Sequence, residues 1–305
     1  MNQNVTELAA ATEERVYYLC SAFIILASTL GIIFNTLAFR RMTRTYRQAY
    51  IFITLCMIKA LTNGIVLIIF LLYVASLTII KSNNLPDFVN NLIGGVEGAA
   101  YFAGRMAQVL IAINSCYVVF NPLRSTNHLI TMFICGIPIV LGATYGIPRL
   151  VSSSCMYYYA PNILSWLYTE KPCALLMREI VNNVLNGTMT LSALCHLTTF
   201  LKICYELHKN KFISSEETSK RLSRSRWKLF QCVCQDALFA LDNMLYQSLS
   251  NQIPLWQRFF CNTYFWNLAH GVDGFIMFVI DRKAHVSPRI PTVHSVQRRS
   301  TIHTR

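Results

Sequence analysis

Charge is what this sequence has least of. Only 13% of its 305 residues are Asp, Glu, Lys or Arg, against 54% hydrophobic; a soluble chain of ordinary composition carries about 25% charged residues. Catalytic signatures are missing as well: there is no His-Glu-x-x-His, no Gly-x-Ser-x-Gly and no glycine-rich phosphate loop followed by Lys. Cys-x-x-Cys is absent, so no metal site is expected, and neither is a cofactor. The first fifteen residues hold Glu7, Glu13 and Glu14 against Arg15 alone, which lacks the basic start of a cleaved signal peptide. The first apolar segment is expected to direct its own insertion. An enzyme and a soluble domain are both disfavoured.

What is present is apolar sequence in long blocks. Val16–Phe39, Ala60–Ile80, Leu129–Pro148 and Ile180–Phe200 each run free of Asp, Glu, Lys and Arg. A helix needs about 20 such residues to cross a bilayer, and it satisfies its own backbone there. The pattern predicts seven spans: Val16–Phe39, Ala49–Leu77, Leu92–Phe120, Leu129–Pro148, Glu179–Leu207, Lys228–Leu249 and Leu255–Ile280. The first, second, fourth and fifth are the most apolar by this reading, and the sixth is the weakest. The chain is expected to divide into an external segment 1–15, a bundle 16–281 and a disordered cytoplasmic tail 282–305.

Orientation follows from basic residues, which favour the cytoplasmic side. With the N-terminus outside, the inner segments hold Arg40, Arg41, Arg44 and Arg47, then Arg124. Lys209, Lys211, Lys220, Arg221, Arg224, Arg226 and Lys228 follow between spans five and six, and six more basic residues lie in the tail. The outer segments hold only Arg15, Lys81, Arg149, Lys171, Arg178 and Arg258. The net charge of +13 therefore reflects an inner face that attracts anionic lipid headgroups, not a nucleic-acid surface. Asn4-Val5-Thr6 is a glycosylation acceptor in the segment placed outside. Cys155 and Cys173 share the long outer loop after span four, where a disulfide and two free thiols are both compatible with the sequence.

Ionisable groups inside spans are costly and mark function or internal pairing. Lys59, Glu97, Arg105, Asp236, Asp242 and Asp273 are of this kind. Glu97 lies 18 residues before Ser115, at the end of span three, about 27 Å along a helix of 1.5 Å rise. That puts its carboxylate near the outer mouth beside Tyr101 and Phe102, where it could hold a cationic ligand or pair with Arg105. Asp242 in span six, with Tyr264 and Trp266 in the outer half of span seven, completes the candidate ligand pocket.

Seven spans with a basic inner face resemble a G-protein-coupled receptor. Gly31-Ile32-Ile33-Phe34-Asn35 resembles the Asn-centred first-helix motif of rhodopsin-like receptors, and Asn63, 28 residues later, falls where those receptors usually place Asp. Asn114-Ser115-Cys116 followed by Pro122-Leu123 resembles the end of their third helix. Trp266, His270 and Asp273-Gly274 are similar to the seventh-helix pattern of a nematode chemoreceptor group, serpentine receptor class x. The resemblance implies a rhodopsin-like seven-helix bundle, N-terminus out and C-terminus in, at the plasma membrane of sensory cells. It also implies a small external ligand and a heterotrimeric G-protein partner. Asn35, Asn63, Asn114, Ser115, Cys116, Pro122, His270, Asp273 and Gly274 then become candidates for the switch. Ser115 stands where the motif has Arg, which cannot be replaced in kind by a hydroxyl and puts G-protein coupling in doubt. A transporter or channel, or a receptor-shaped protein that does not signal, are the alternatives; no repeated halves favour the former.

Overall fold

The computed structural model describes residues 2–45, 51–121, 128–209, 216–248 and 254–285. Seven long helices follow one another: α1 Asn2–Thr45, α2 Ile51–Ile80, α3 Asp87–Phe120, α4 His128–Val151, α5 Pro172–Lys209, α6 Glu216–Ser248 and α7 255–285. A hairpin of β1 (Tyr157–Ala160) and β2 (Ser165–Tyr168) lies between α4 and α5. Among the described residues, two helices contain a π-helical turn, Phe70–Val74 in α2 and Phe259–Tyr264 in α7. Pro138 and Pro148 both sit inside α4.

All seven expected helices are present, but their limits and ranking differ from the sequence reading. Helix α1 begins at Asn2, not Val16, and α7 continues past Ile280 to His285. The basic run read as a loop between spans five and six is largely the start of α6, since 216–226 contains neither Gly nor Pro to interrupt a helix. Among the described residues four helices, α1 to α4, are long and apolar enough to cross a membrane by composition. Helix α3 is thus more apolar than expected, and α5 less so, because Asn182, Asn183, Asn186 and His196 dilute it. The expected tail lies beyond the last described residue for 286–305, and Pro122 is also outside the described residues.

Small residues bring the helices close. Ala99 and Ala103 of α3 face Gly142 and Gly146 of α4, where a methyl group on Gly146 would lie 2.7 Å from that of Ala99. Gly31 of α1 meets Gly271 of α7, and a Cβ on Gly31 would come within 2.8 Å of the Gly271 Cα. Close backbone approach of this kind is how helices associate in lipid, where apolar burial gives no advantage. The outward surface stays greasy, with Leu26, Leu72, Phe133 and Leu201 among the exposed residues.

One end of the bundle is closed over by the hairpin. Its register pairs Tyr157 with Tyr168 and Tyr159 with Trp166. The period of two along a strand turns Tyr157, Tyr159 and Trp166 inward, all nearly fully buried. A disulfide between Cys155 and Cys173, with Cα atoms 4.9 Å apart, ties the base of the hairpin to the first turn of α5.

Candidate functional site: an outer cavity above a buried polar chain

Beneath the hairpin is a cavity with about 710 Å³ of empty space, its open mouth included. Helix α3 contributes Glu97 and Tyr101, α4 contributes Tyr145 and Arg149, α6 contributes Asp242 and Tyr246, and α7 contributes Trp266. The hairpin roofs it with Tyr157, Trp166 and Tyr168. Of the sequence-derived pocket residues, Glu97, Tyr101, Asp242 and Trp266 line this space. Phe102 does not: it stacks behind the wall on Tyr145, with ring centroids 4.8 Å apart. Tyr264 also turns away, packing edge-on against Phe23 of α1 at 5.6 Å.

Arg149 was missed as a site residue and counted among outer-loop bases. It is 1% exposed, at the end of α4, with its guanidinium 4.0 Å from the Tyr145 ring centroid and 4.8 Å from that of Tyr157. It donates hydrogen bonds to the Tyr145 and Tyr168 hydroxyls. Tyr145, one helical turn earlier, was the available signal, since residues four apart share a helix face. The aromatic runs Tyr157-Tyr158-Tyr159 and Trp166-Leu167-Tyr168, separated by 160–165, likewise fit two short strands of a lid. Burial pushes the Tyr157 phenol well above its ordinary pKa, so it stays neutral over the cavity.

Glu97 is 1% exposed and its Oε1 has no hydrogen-bond partner. The suggested pairing with Arg105 does not occur: Arg105 instead stacks over the Phe239 ring at 4.4 Å. Asp236 pairs with His196 of α5 at 2.6 Å.

From the cavity floor a chain of hydrogen bonds runs inward. Trp266 Nε1 donates to His270 Nε2 at 3.0 Å, which leaves the proton on His270 Nδ1 to be donated to Asn63 Oδ1 at 2.8 Å. Asn63 Nδ2 donates to Asp273 Oδ2 at 2.5 Å, and Lys59 Nζ donates to Asp273 Oδ1 at 2.8 Å. Lys59 also donates to Gln108 Oε1 at 2.5 Å, and Gln108 Nε2 donates to the Cys232 carbonyl of α6 at 3.4 Å. Beside it, the Cys232 thiol is 3.9 Å from Ser115 Oγ, itself bonded back to the Ile111 carbonyl at 2.8 Å. Asn35 braces the chain, donating to the carbonyls of Gly31 and His270 and accepting from Asn63 at 3.3 Å. Gly274 is packed against the Asn35 side chain, so a Cβ there would overlap it. Donor and acceptor roles are consistent at every step, as a buried network requires.

The expected switch residues thus separate by depth. Asn35, Asn63, His270, Asp273 and Gly274 form the buried middle of the bundle rather than its inner surface. Ser115 is below them, facing α6. Cys116 points elsewhere, toward Thr198 of α5 at 3.4 Å, and Asn114 is half-buried on α3.

A cavity roofed by a hairpin above a seven-helix bundle with apolar outer faces defines a multi-pass membrane receptor of rhodopsin-like architecture. The structure of squid rhodopsin superposes with a TM-score of 0.73 over 89% of this chain and 83% of that one, at 12% sequence identity. The serpentine type 7TM GPCR chemoreceptor Srx family matches residues 25–281, and the chain belongs to that family. No curated protein sequence matches it significantly. The family is one of chemosensory G-protein-coupled receptors and the fold is rhodopsin-like, both those of receptors rather than enzymes.

Proposed function

We propose that a small external molecule occupies the outer cavity, and that its occupancy is passed to the cytoplasmic face through the buried polar chain. The observation that carries this reading is the continuity of that chain, from Trp266 on the cavity floor to Cys232 on α6. A ligand that shifts Trp266 changes the position of an acceptor on α7, and each later partner must follow or lose a buried hydrogen bond. Such a shift needs a ligand that binds one arrangement more tightly than the other. The proposed inner partner is a heterotrimeric G protein, met by a third helix that presents Ser115 in place of the motif Arg. The proposed location is the plasma membrane of sensory cells, with a glycan on Asn4. Asn4→Gln then removes a glycosidase-sensitive mobility shift, which an unglycosylated chain never shows.

The test compares wild type with His270→Phe in cells, exposing both to a collection of small molecules and following nucleotide exchange on co-expressed G protein. The substitution keeps an aromatic ring against Tyr101 and Phe239 while removing both of the histidine's hydrogen bonds. A compound that activates the wild type is expected to bind His270→Phe yet activate it at least about tenfold less, the worth of one buried hydrogen bond of about 1.4 kcal/mol. Full activation through His270→Phe removes the chain from the mechanism. A wild type that activates no G protein with any compound removes G-protein coupling from this reading.

A further inference from the structure

Acidic and basic side chains line the cavity with no hydrogen bond or ion-pair contact between them. Glu97 on α3 and Arg149 on α4 are each 1% exposed, and no contact within the 4.0 Å of an ion pair links them. They are near neighbours: the Arg149 guanidinium lies on Gly98, the residue after Glu97, and a Cβ at Gly98 would collide with it. Glu97 Oε1 and Arg149 Nε both lack hydrogen-bond partners, and so does Trp166 Nε1 in the roof, where the side chain is 2% exposed. Asp242, 8% exposed, adds a second carboxylate from α6. The cavity therefore offers an unused acceptor in Glu97 Oε1 and unused donors in Arg149 Nε and Trp166 Nε1.

Burying a charge without a partner is among the costliest things a fold can do. An amine in the cavity would satisfy Glu97 and leave Arg149 with phenols only. A carboxylate would do the reverse. One small molecule carrying both groups satisfies both walls. We infer that the ligand is a small zwitterion of the amino-acid type, its ammonium on Glu97 between Tyr101 and Trp266 and its carboxylate on Arg149 and Trp166 Nε1. The aromatic rings beside Glu97 suit an ammonium by their negative faces, and a guanidinium fork suits a carboxylate. This rests on the cavity being the ligand site, as proposed above.

The experiment follows thermal unfolding of the purified full-length chain in detergent with matched probes. L-Phenylalanine is set against phenethylamine, 3-phenylpropanoate and 2-phenylethanol, and L-leucine and glycine against their own amines and acids. In at least one series the zwitterion is expected to stabilise the receptor at concentrations about tenfold or more below its amine and its acid, the worth of one charge-assisted hydrogen bond. Glu97→Gln then abolishes the advantage over the acid, and Arg149→Gln the advantage over the amine. Where Arg149→Gln does not fold, Arg149→Lys and the wild-type ranking decide. An amine as good as its zwitterion, or binding by 2-phenylethanol alone, overturns the zwitterion but leaves a working ligand cavity. No stabilisation by any of the four classes overturns it too, and silence of the wild type in the cell assay then carries the cavity reading down as well.

Discussion

The Lys59–Asp273 pair allows the sharpest test of the buried chain. Both side chains are essentially unexposed, at 1% and 0%, and Nζ lies 2.8 Å from Oδ1. Removing one partner of a buried pair strands the other charge, which costs about 3–5 kcal/mol. Replacing both with apolar residues strands no charge, although Gln108 Oε1 and one Asn63 N–H lose their bonds, at about 1–3 kcal/mol each. Lys59→Met and Asp273→Leu are therefore each expected to destabilise strongly, while the double variant is less stable than wild type but far more stable than the sum of the two predicts. At roughly 2 °C per kcal/mol for a chain of this size, each single variant unfolds about 6–10 °C below wild type. The assay is thermal unfolding of purified receptor, read as a double-mutant cycle, which isolates the pairwise interaction. Strictly additive shifts would mean that the two residues do not interact, and the chain would be broken at its only charged link.

Two further outcomes test the scaffold around it. Cys155→Ser opens a loop of sequence separation 18, so it is expected to cost about 3 kcal/mol and to weaken ligand binding by loosening the roof; denatured, unreduced wild type should show two fewer reactive thiols than its cysteine content. Gly31→Val forces α1 away from Gly271, where even a methyl group lacks room, and is expected to cost about 1–3 kcal/mol with loss of cell-surface protein, whereas Gly64→Ala, with open space at that position, is expected to leave surface levels unchanged.

Helices were the most legible part of the sequence because insertion demands a local feature, a long uninterrupted apolar block. Their ends were not, since a helix runs on into polar residues until something stops it, as α6 does in reverse through Arg224 and Arg226. Site residues on the spans themselves, Glu97, Asp242, His270 and Asp273, stood out as polar groups in an apolar setting. Partnership was hidden. Lys59 meets Asp273 across the fold, and nothing local distinguishes that pairing from one between Asp273 and Arg105. Arg149 was hidden for another reason: a cation just past an apolar run looks like an ordinary loop residue, and only the aromatic hairpin folding back over it makes it part of the cavity. Phe102 and Tyr264 erred in the opposite sense, being adjacent in sequence to lining residues but on different helix faces.

The central claim is that filling the outer cavity moves α3 and α6 relative to each other at the inner end. Its most direct measurement is the distance between spin labels at Asn121 and Arg226, both exposed positions, attached by chemistry that spares the native cysteines and recorded with and without a binding compound. The account predicts a ligand-dependent change of at least about 1–2 Å, the size of helix shifts in switching proteins, that disappears in His270→Phe. An unchanged distance with the cavity demonstrably occupied, or the same change in His270→Phe, would contradict it.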